Sequence, residues 1–369
     1  MTGGGSLRLV IAGGGTGGHL YPALAIADEI RRRHPDADIL FVGTRGKIES
    51  RIVPGRGYPF VTIWISGFRR RLSAETLLFP LKVVVALLQS LLIVRRTKPD
   101  VVIGTGGYVC GPVVAAAQIL GRRTLIQEQN SVPGATTRML ALRADEVHIA
   151  FEGSAAYLRR RDNVRLTGNP TRERIGSVSR SEGSKAFGLD PGKTTVLVFG
   201  GSWGASAINA AMASLASELA GEGVQIVWQT GKEEFERLRV SFGGLSERIK
   251  MYPFIENMEY AYAACDLAIC RSGASSIAEL TRAGVPSVLI PYPHAAADHQ
   301  TENARSIADA GAGILLPDGD ARTILGETVR RLLGDRERLA AMAVAARLLG
   351  KPGAAGVLAD AVEQLAGVH

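Results

Sequence analysis

Leu7–His19 reads LRLVIAGGGTGGH, and Thr195–Ser206 reads TVLVFGGSWGAS. Each stretch is an apolar strand, a glycine-rich turn and the start of a helix, the pattern that opens a βαβ unit. Short apolar strands alternate with amphipathic helices along almost the whole chain, which predicts parallel sheets. The repeated pattern therefore predicts an α/β fold of two doubly wound, Rossmann-like domains that face each other across a cleft.

The predicted elements divide into two series. The first strands are expected at Leu7–Ala12, Asp38–Val42, Phe60–Ile65, Val101–Gly104, Thr124–Gln127 and Val147–Ile149. The second strands are expected at Thr195–Phe199, Val224–Trp228, Ile249–Tyr252, Leu267–Ile269 and Ser287–Ile290. Helices are expected at His19–Arg33, Ala205–Leu219 and Ala354–Ala366.

Domain boundaries follow from the stretch between the two series. Thr167–Lys185, TGNPTRERIGSVSRSEGSK, is polar and contains Pro, Gly and Ser, so we expect a connector there. This predicts one domain over residues 1–170 and a second over 171–348. Residues 349–369 would form a C-terminal helix that packs back on the first domain.

Composition limits the classes of protein that the chain can be. Its 369 residues are 46% hydrophobic and 21% charged, which supports packed cores and excludes an intrinsically disordered chain. The cysteines, Cys110, Cys265 and Cys270, suit neither a disulfide framework nor a metal site, which indicates a reducing compartment. The N-terminus has no basic n-region and no signal-like cleavage site, so we do not expect secretion.

The basic charge is concentrated in one segment. Residues 69–98 contain seven Lys or Arg and one acid, and so carry most of the formal net charge of +8. They include the most apolar run, Leu77–Val94, in which Pro80, Lys82 and Gln89 argue against a membrane span. Such a helix can lie on an anionic bilayer, or it can be a core helix with solvated ends. The membrane-contacting residues would be Arg69, Arg70, Arg71, Leu78, Phe79, Lys82, Arg95 and Arg96.

The first glycine turn, Gly13–Gly18, is followed directly by His19. Glycines let the backbone approach a ligand, and amides at a helix N-terminus favour an anion such as a phosphate. The glycine spacing fits a dinucleotide fingerprint, but the second strand ends in VGTR (42–45) without the acidic residue that NAD binding needs. A His at the mouth of the turn can act as a general base, or it can simply cap the helix.

Other strand ends carry polar or glycine-rich sequences that would lie at the same sheet edges. Gly200–Ala205 offers a second amide cradle for a diphosphate, and Arg271–Glu279 starts a helix whose carboxylate could bind a ribose diol. Gly104–Tyr108 and Gln127–Gly134 suit sugar hydroxyls, although each stretch could also be an ordinary turn. Residues 294–303, HAAADHQTEN, have no zinc spacing, and the sequence indicates no metal or other cofactor.

Eight segments taken together resemble one family. In chain order they are GGGTGGHLYPALAIA, GTGGYVCGPVVAAA, QEQNSVPG, GNPTR, FGGSWGA, PFIENM, CRSGASSIAEL and PSVLIPYPHAAADHQTENA. In these segments and in its length, the chain resembles the bacterial peptidoglycan glycosyltransferases of the MurG family, which have the two-domain GT-B architecture. The resemblance implies transfer of N-acetylglucosamine from UDP-N-acetylglucosamine to the C4 hydroxyl of a muramyl pentapeptide on undecaprenyl diphosphate, called lipid I, to form lipid II in peptidoglycan synthesis.

The resemblance also implies roles for individual residues. His19 would be the catalytic base, with Glu128 as the less favoured alternative. The donor-binding residues would be Thr16, Gly17, Gly18, Asn130, Arg172, Ser202, Ile255, Ala274, Ser275, Ser276, Ile277, Ala278, Glu279 and Gln300. Residues in or beside the acceptor cleft would be Gly106, Gly107, Tyr108 and Asn303.

Three positions depart from the residues usual in the family. Gln127 stands where relatives often have His, Thr137 replaces a frequent Asn, and Trp203 replaces a usual Gln. No imidazole therefore precedes Glu128, and the diphosphate loop at Trp203 is expected to differ in shape.

The implied reaction is an inverting transfer, because the donor is α-linked and the family's product is β-linked. A single in-line displacement needs a base on the acceptor hydroxyl and stabilisation of the departing UDP, which helix N-termini could supply without metal. The implied partners are UDP-N-acetylglucosamine, lipid I and the anionic cytoplasmic leaflet of the plasma membrane, with the protein peripheral to it. No nucleic-acid motif is present.

Two other classes of function remain open from the sequence. A glycolipid glycosyltransferase or a nucleotide-sugar epimerase of GT-B architecture would share the glycine-rich loops and the helix-borne carboxylate. A non-catalytic scaffold that binds the lipid carrier would share the basic, apolar segment.

Overall fold

A computed structural model describes residues 6–67, 78–201, 204–245 and 247–368. The chain divides into two compact units, the first comprising Met1–Thr171 with Pro352–His369 and the second Arg172–Lys351. Several residues that the sequence singles out lie outside the described residues: Arg69, Arg70, Arg71, Ser202 and Trp203.

The first unit is built on a parallel sheet with the strand order β3-β2-β1-β4-β5-β6-β7. Its strands are β1 (Arg8–Ala12), β2 (Asp38–Gly43), β3 (Phe60–Thr62), β4 (Val101–Gly104), β5 (Arg123–Glu128), β6 (Glu146–Ile149) and β7 (Val164–Leu166). Its helices before the chain enters the second unit are α1 (Gly17–Arg33), α2 (Glu49–Gly55), α3 (Phe79–Thr97), α4 (Gly107–Ile119) and α5 (Ala135–Leu140), with a 3₁₀ helix at Glu152–Tyr157.

β1 lies in the middle of this sheet and is apolar on both faces. Ile11 pairs in register with Phe41 of β2 and with Ile103 of β4. Leu9 and Ile11 join one core cluster with side chains of α1, and Val10 joins another with side chains of α4. A parallel strand that is buried on both faces requires a helical layer on each, which is why the apolar run of β1 determines this fold.

The second unit repeats this design with the strand order β10-β9-β8-β11-β12-β13. Its strands are β8 (Thr195–Phe199), β9 (Gln225–Gln229), β10 (Ile249–Tyr252), β11 (Leu267–Cys270), β12 (Ser287–Leu289) and β13 (Gly313–Leu315). Its helices are α6 (Arg180–Phe187), α7 (Ser206–Gly221), α8 (Lys232–Ser241), α9 (Met258–Ala264), α10 (Ala274–Ala283), α11 (His299–Asp309), α12 (Ala321–Gly334) and α13 (Arg336–Leu349), with 3₁₀ helices at Gly243–Leu245, Ala296–Asp298 and Asp318–Asp320.

In both sheets the strand order reverses in the middle, between β1 and β4 and between β8 and β11. Such a reversal opens a crevice at the carboxyl ends of the strands, where open α/β sheets bind their ligands. The prediction of two doubly wound parallel sheets is confirmed. Both glycine-rich turns follow a central strand at such a reversal.

The C-terminal helix, α14 (Ala354–Ala366), belongs to the first unit. Its Leu358 is fully buried in the core cluster that includes the apolar face of α1. At the end of α1, Nη1 of Arg33 lies 2.5 Å from a carboxylate oxygen of Asp360 and 3.2 Å from one of Glu363. Apolar burial and these ion pairs together fasten the last helix to the first.

Thr167–Lys185, which is expected to be a connector, contains the boundary between the two units but also the start of α6. Ser179 and Glu182 form a capping box in which each side chain accepts a hydrogen bond from the other residue's backbone N–H. Gly183, which reads as a helix breaker, allows α6 to pack closely on α9. A Cβ at that position would lie 2.6 Å from the carbonyl oxygen of Tyr260.

Two strands were not predicted, and three are shorter than predicted. β1 begins at Arg8 rather than Leu7, and β12 ends at Leu289 rather than Ile290. β7 and β13 are edge strands of three residues each, too short to give a clear apolar run. The third strand ends at Thr62 rather than Ile65. These differences lie at the sheet edges and at strand ends, so they leave the central strands and the loops that follow them unchanged.

Candidate functional site

Very close contacts hold the glycine turn of the first unit against the loop after β4. Gly13 faces Thr105, whose hydroxyl donates a hydrogen bond of 2.8 Å to the carbonyl oxygen of His19. A Cβ at Gly13 would lie 1.9 Å from that hydroxyl oxygen, so no side chain fits there. The start of α1 is therefore fixed to the end of β4.

The imidazole of His19 lies on Gly106. A Cβ at Gly106 would be 2.6 Å from Nδ1, and its φ of +94° is a conformation that favours glycine. Nδ1 lies 2.8 Å from Oε1 of Gln129 and 3.1 Å from the carbonyl oxygen of Thr105. Within the described part of the chain, Nε2 makes no hydrogen bond, so this nitrogen of a half-buried ring remains available.

A carboxylate that the sequence analysis did not single out lies behind the glycine turn. Glu49 is fully buried and accepts hydrogen bonds from the backbone N–H of Gly15 at 3.0 Å, and from the hydroxyl and N–H of Thr44 at 2.8 and 3.2 Å. One amide of the glycine turn is thus already bound to a protein carboxylate. Local sequence gave no sign of this contact, because Glu49 lies six residues beyond the end of β2.

Glu128, at the end of β5, is bound within its own loop. Oε1 accepts hydrogen bonds from the backbone N–H and the side-chain amide of Asn130 at 3.1 and 3.3 Å, and Oε2 accepts one from the N–H of Gly134 at 3.3 Å. The side chain is only 4% exposed. The carboxylate therefore shapes the QEQNSVPG loop, which contacts the 3₁₀ helix through a bond from the Ser154 hydroxyl to the carbonyl oxygen of Asn130.

Tyr108 and Gly107 complete this edge of the first sheet. A Cβ at Gly15 would meet the Tyr108 ring at 3.0 Å, so the ring lies close to the glycine turn. Gly107 has a φ of +78°, and a Cβ there would lie 2.4 Å from the carbonyl oxygen of Gly14. Side chain and backbone of this loop thus both contact the turn before α1.

In the second unit, Glu279 of α10 is a buried carboxylate with a side chain 15% exposed. Its Oε2 accepts a hydrogen bond of 2.9 Å from the Tyr262 hydroxyl, and its Oε1 lies 3.8 Å from Nε of Arg172. Burial raises the pKa of Glu279 above its usual value, and the Arg172 charge and the Tyr262 hydrogen bond oppose that shift. Nη1 of Arg172 also lies 3.9 Å from Glu259, so the guanidinium lies between two carboxylates.

The N-terminus of α10 is braced by the residues after β12. The Ser272 hydroxyl donates to the carbonyl oxygen of Gln300 at 2.8 Å, and the buried Asn303 amide donates to the carbonyl oxygen of Ser272 at 3.2 Å. The side-chain oxygen of Gln300 accepts from the N–H of Tyr292 at 2.9 Å. The hydroxyl oxygen of Ser275 is buried and has no hydrogen-bond partner among the described residues.

The second glycine turn is held by Gln229, which sequence reasoning missed. Its amide donates to the carbonyl oxygen of Gly201 at 2.9 Å, and its oxygen accepts from the N–H of Ile255 at 2.8 Å. Gly204 has a φ of +80°, and a Cβ there would lie 2.4 Å from the carbonyl oxygen of Thr230. Gln229 thus connects the turn after β8 with the loop after β10, and the close approach of Gly204 to Thr230 holds the same turn against the end of β9.

The structure divides the sequence-predicted site residues between the two units. At the edge of the first sheet lie Thr16, Gly17, Gly18, His19, Gly106, Gly107, Tyr108, Glu128 and Asn130. At the edge of the second lie Arg172, Ile255, Ala274, Ser275, Ser276, Ile277, Ala278, Glu279, Gln300 and Asn303. Asn130 thus belongs to a different unit from most of the predicted donor set, and Asn303 to a different unit from the other predicted acceptor residues. The side chains of Ala274 and Ile277 are buried, which leaves their backbone for contact with a ligand.

α3 exposes an apolar face, defined by Leu81, Val84, Leu88 and Leu92, whose side chains are 51 to 56% exposed. Their spacing of three or four residues aligns them along one side of the helix. Arg95 and Arg96 follow and are exposed. Among the described residues, no helix is both long and apolar enough to cross a membrane.

The remaining residues predicted to contact a membrane differ in their exposure. Leu78 is 45% exposed and Phe79 is half-buried. Lys82 is buried, contrary to what a membrane-contacting residue requires, because its ammonium donates to the Ser66 hydroxyl at 3.1 Å and lies 5.8 Å from the Trp64 ring centre.

Two doubly wound sheets, each with a glycine turn and a cluster of polar loops at its carboxyl edge, define a two-domain α/β protein that binds ligands at strand ends. A family model for the glycosyltransferase family 28 N-terminal domain matches residues 9–149, and the model for the C-terminal domain matches residues 195–358. The two matches cover most of both units.

Individual relatives are similar over nearly their full length. The chain is 46% identical, over 96% of its length and 98% of the relative's, to the UDP-N-acetylglucosamine--N-acetylmuramyl-(pentapeptide) pyrophosphoryl-undecaprenol N-acetylglucosamine transferase of Chlorobaculum tepidum. It is 45% identical to the protein of the same name from Prosthecochloris aestuarii, over 98% of this chain and the whole relative. The crystal structure of Acinetobacter baumannii MurG matches with a TM-score of 0.76 and 30% identity, over 97% of this chain and 99% of that one.

The chain belongs to glycosyltransferase family 28, in the MurG group that these relatives represent. The family resemblance predicted from the eight sequence segments is confirmed. The protein is therefore an enzyme of the glycosyltransferase class.

Gly106→Ala should reduce glycosyltransferase activity by displacing the His19 imidazole. The new Cβ would lie 2.6 Å from Nδ1 in a backbone conformation that alanine rarely adopts. A displacement of about 1 Å at a reacting group can cost about 100-fold in rate, so we expect a fall in kcat of about 10- to 100-fold. Steady-state kinetics would measure it. Gly55→Ala is the control, because a Cβ there contacts nothing within 4 Å, and equal kcat in both variants would contradict this role of Gly106.

Proposed function

We propose that the chain transfers N-acetylglucosamine from UDP-N-acetylglucosamine to the C4 hydroxyl of the undecaprenyl-diphosphate-linked muramyl pentapeptide, lipid I, and so forms lipid II. The observation that carries this proposal is 46% identity, over almost the whole length of both chains, to a relative named for that donor and acceptor. The polar edges of the two sheets supply groups suited to each half of the reaction.

The second unit, 171–348, binds the UDP-sugar in this proposal. Glu279 accepts hydrogen bonds from the ribose hydroxyls, since a carboxylate can accept from two neighbouring donors. The buried, unpaired hydroxyl of Ser275 supports an oxygen-rich ligand at the start of α10. Gln229 presents the loop at Ile255, and the other donor residues are those carried over from the family, Arg172, Ser202, Ala274, Ser276, Ile277, Ala278 and Gln300, with Thr16, Gly17, Gly18 and Asn130 from the first unit.

The first unit, 1–170, binds the acceptor, and His19 is the base. Nδ1 lies beside two oxygens, while Nε2 makes no hydrogen bond within the described residues, which supports proton transfer at Nε2. Glu128 is the weaker candidate, because both its oxygens already accept hydrogen bonds from its own loop. Tyr108, Gly106 and Gly107 contribute to the acceptor side.

The leaving diphosphate is stabilised by backbone amides. α7 and α10 both begin directly after glycine-containing turns, and the first N–H groups of a helix have no partner within the helix. These amides, with the positive end of the helix dipole, favour the charge that develops on the departing UDP. No step of this account requires a metal ion.

The enzyme works as a peripheral protein on the cytoplasmic face of the plasma membrane. The exposed apolar face of α3, followed by Arg95 and Arg96, supports contact with an anionic bilayer through apolar insertion and charge attraction together. The sequence adds Arg69, Arg70 and Arg71 shortly before this helix. Leu78 and Phe79 lie at its start, whereas the burial of Lys82 removes that residue from the proposed surface.

Replacing His19 by Gln should reduce transfer of labelled N-acetylglucosamine to a lipid I analogue by about 100- to 10,000-fold, the usual contribution of a general base. UDP should still bind, because its proposed ligands lie mainly in the second unit. Transfer assays and calorimetric titration of UDP would measure the two effects. An unaltered transfer rate would remove His19 as the base, and label that stays in water-soluble sugar with the native enzyme would favour an epimerase.

The affinity for UDP should decrease as the pH falls towards the raised pKa of Glu279, because the ribose hydroxyls donate to the ionised carboxylate. Glu279→Ala should weaken binding by about 1–3 kcal/mol. Glu279→Gln should remove most of the pH dependence, whereas the exposed control Glu327→Gln should leave it intact. Calorimetric titrations from neutral to mildly acidic pH would show this, and identical pH profiles for Glu279→Gln and the native protein would contradict the assignment.

The triple variant Val84→Glu, Leu88→Glu, Leu92→Glu should bind vesicles that contain phosphatidylglycerol at least about tenfold more weakly, because it places charge on the apolar face of α3. Vesicle flotation would measure binding. The control is Val344→Glu, Leu348→Glu, which changes two exposed apolar residues of α13. If the α3 variant floats as well as the native protein, this face is not the membrane contact.

A further inference from the structure

A chain of buried side-chain amides leads away from His19. Oε1 of Gln129 lies 2.8 Å from the imidazole Nδ1, and the amide nitrogen of Gln129 donates to the side-chain oxygen of Gln127. The amide nitrogen of Gln127 donates to Oδ1 of Asn169 at 2.7 Å, and Asn169 in turn donates to the backbone carbonyl of Gln129 at 3.2 Å. These three amides are 0 to 4% exposed.

Backbone carbonyls fix the direction of this chain. The amide nitrogen of Gln129 lies 2.7 Å from the carbonyl oxygen of Thr105 and 3.0 Å from that of Gln127, and carbonyl oxygens can only accept. At the far end of the chain, the backbone carbonyl oxygen of Gln129 can only accept a hydrogen bond, so the Asn169 atom beside it must be the amide nitrogen. Exchanging O and N in any one amide would bring like groups together, so Gln129 must present its oxygen to His19.

Nδ1 of His19 therefore faces two acceptors, the oxygens of Gln129 and Thr105. A nitrogen between two acceptors must carry the proton, and a neutral imidazole then has its lone pair on the other nitrogen. We propose that Gln129, Gln127 and Asn169 are positioning residues that hold His19 as the Nδ1–H tautomer with a basic Nε2. The proposal rests on the proposed function, in which His19 is the base.

The tautomer determines which nitrogen can accept a proton during transfer. The acceptor O–H bond breaks and its proton goes to Nε2, while the oxygen forms a bond to the anomeric carbon. The bond from that carbon to the phosphate oxygen breaks, and UDP leaves with the electron pair. The imidazolium of His19 then donates its Nδ1–H to oxygens that are already oriented, so the charge is stabilised without rearrangement.

The position of Gln127 allows the effect of the hydrogen-bonded chain of amides, called the relay below, to be distinguished from the effect of side-chain packing. Among the described residues, Gln127 makes no hydrogen bond to His19, yet it both donates and accepts within the chain of amides. A neutral imidazole also offers one donor and one acceptor, whereas a Met side chain fills space without a strong donor or acceptor. Gln127→His should therefore preserve the relay, and Gln127→Met should break it.

The direct test is the ¹⁵N spectrum of the full-length protein labelled on histidine, with the His19 signals assigned by their loss in His19→Gln. We expect a protonated Nδ1 and an unprotonated Nε2 in the neutral imidazole, in the native protein and in Gln127→His. In Gln127→Met only the backbone carbonyls of Thr105 and Gln127 still orient the Gln129 amide, so a detectable population with the proton on Nε2 should appear. A native His19 with its proton on Nε2, or with equal populations of both tautomers, would overturn the proposal whatever the activity.

Kinetics provide the second readout. We expect kcat to fall about 3- to 10-fold in Gln127→Met and at least about tenfold in Gln129→Met, with KM for UDP-N-acetylglucosamine nearly unchanged. Gln127→His should stay within about twofold of native kcat. The control is Gln118→Met, which removes a side-chain amide bonded to the backbone of α5 outside the relay.

The outcomes separate the inference from the function on which it rests. If His19→Gln had the native kcat, His19 would not be the base. The ¹⁵N spectrum of the native protein would still report the tautomer of His19. If His19→Gln loses activity but Gln127→Met keeps native kcat and an unaltered tautomer, the role of the relay is refuted and that of His19 is not. If the Met variants do not fold, the native spectrum and the activity of Gln127→His decide, because that variant keeps both hydrogen bonds.

Discussion

The approach of the His19 imidazole to the backbone at Gly106 is the contact on which the first site depends. The ring can occupy this position only because residue 106 has no side chain, and it is oriented there by the oxygens of Thr105 and Gln129. A parallel sheet brings the loops after β1, β4 and β5 to one edge, so residues 110 positions apart in sequence meet at hydrogen-bonding distance. Because Nδ1 is bound to these oxygens, Nε2 is the nitrogen at which the proposed base would act.

In the second unit, the carboxyl edge of the sheet carries the carboxylate of Glu279 rather than an imidazole. Burial makes the carboxylate of Glu279 costly to ionise, and the Tyr262 hydroxyl and the Arg172 charge reduce that cost. A ligand that donates hydrogen bonds to this carboxylate replaces some of the lost hydration. Two similar sheets thus place an imidazole at one strand edge and a carboxylate of low exposure at the other.

Much of the fold could be predicted from the sequence, because the central strands are apolar on both faces. The central strands β4 and β8 have the predicted bounds, and so does the edge strand β10. Other features depend on distant contacts and leave no local pattern. Gly183 reads as a helix breaker but permits close packing, and Lys82 is predicted to contact a membrane but is buried beside Ser66. Glu49 becomes significant only when the chain brings it to the glycine turn. The sequence shows that Gln127 departs from the residue usual in the family, but only the structure shows its hydrogen bonds.

The proposed reaction is a single displacement by an acceptor hydroxyl that the His19 imidazole activates. The most direct measurement is the anomeric configuration of the sugar bond in the product formed from UDP-N-acetylglucosamine and a lipid I analogue, read from proton NMR couplings. The account predicts a β linkage, which is inverted relative to the α-linked donor. An α linkage, or no sugar joined to the acceptor, would contradict it.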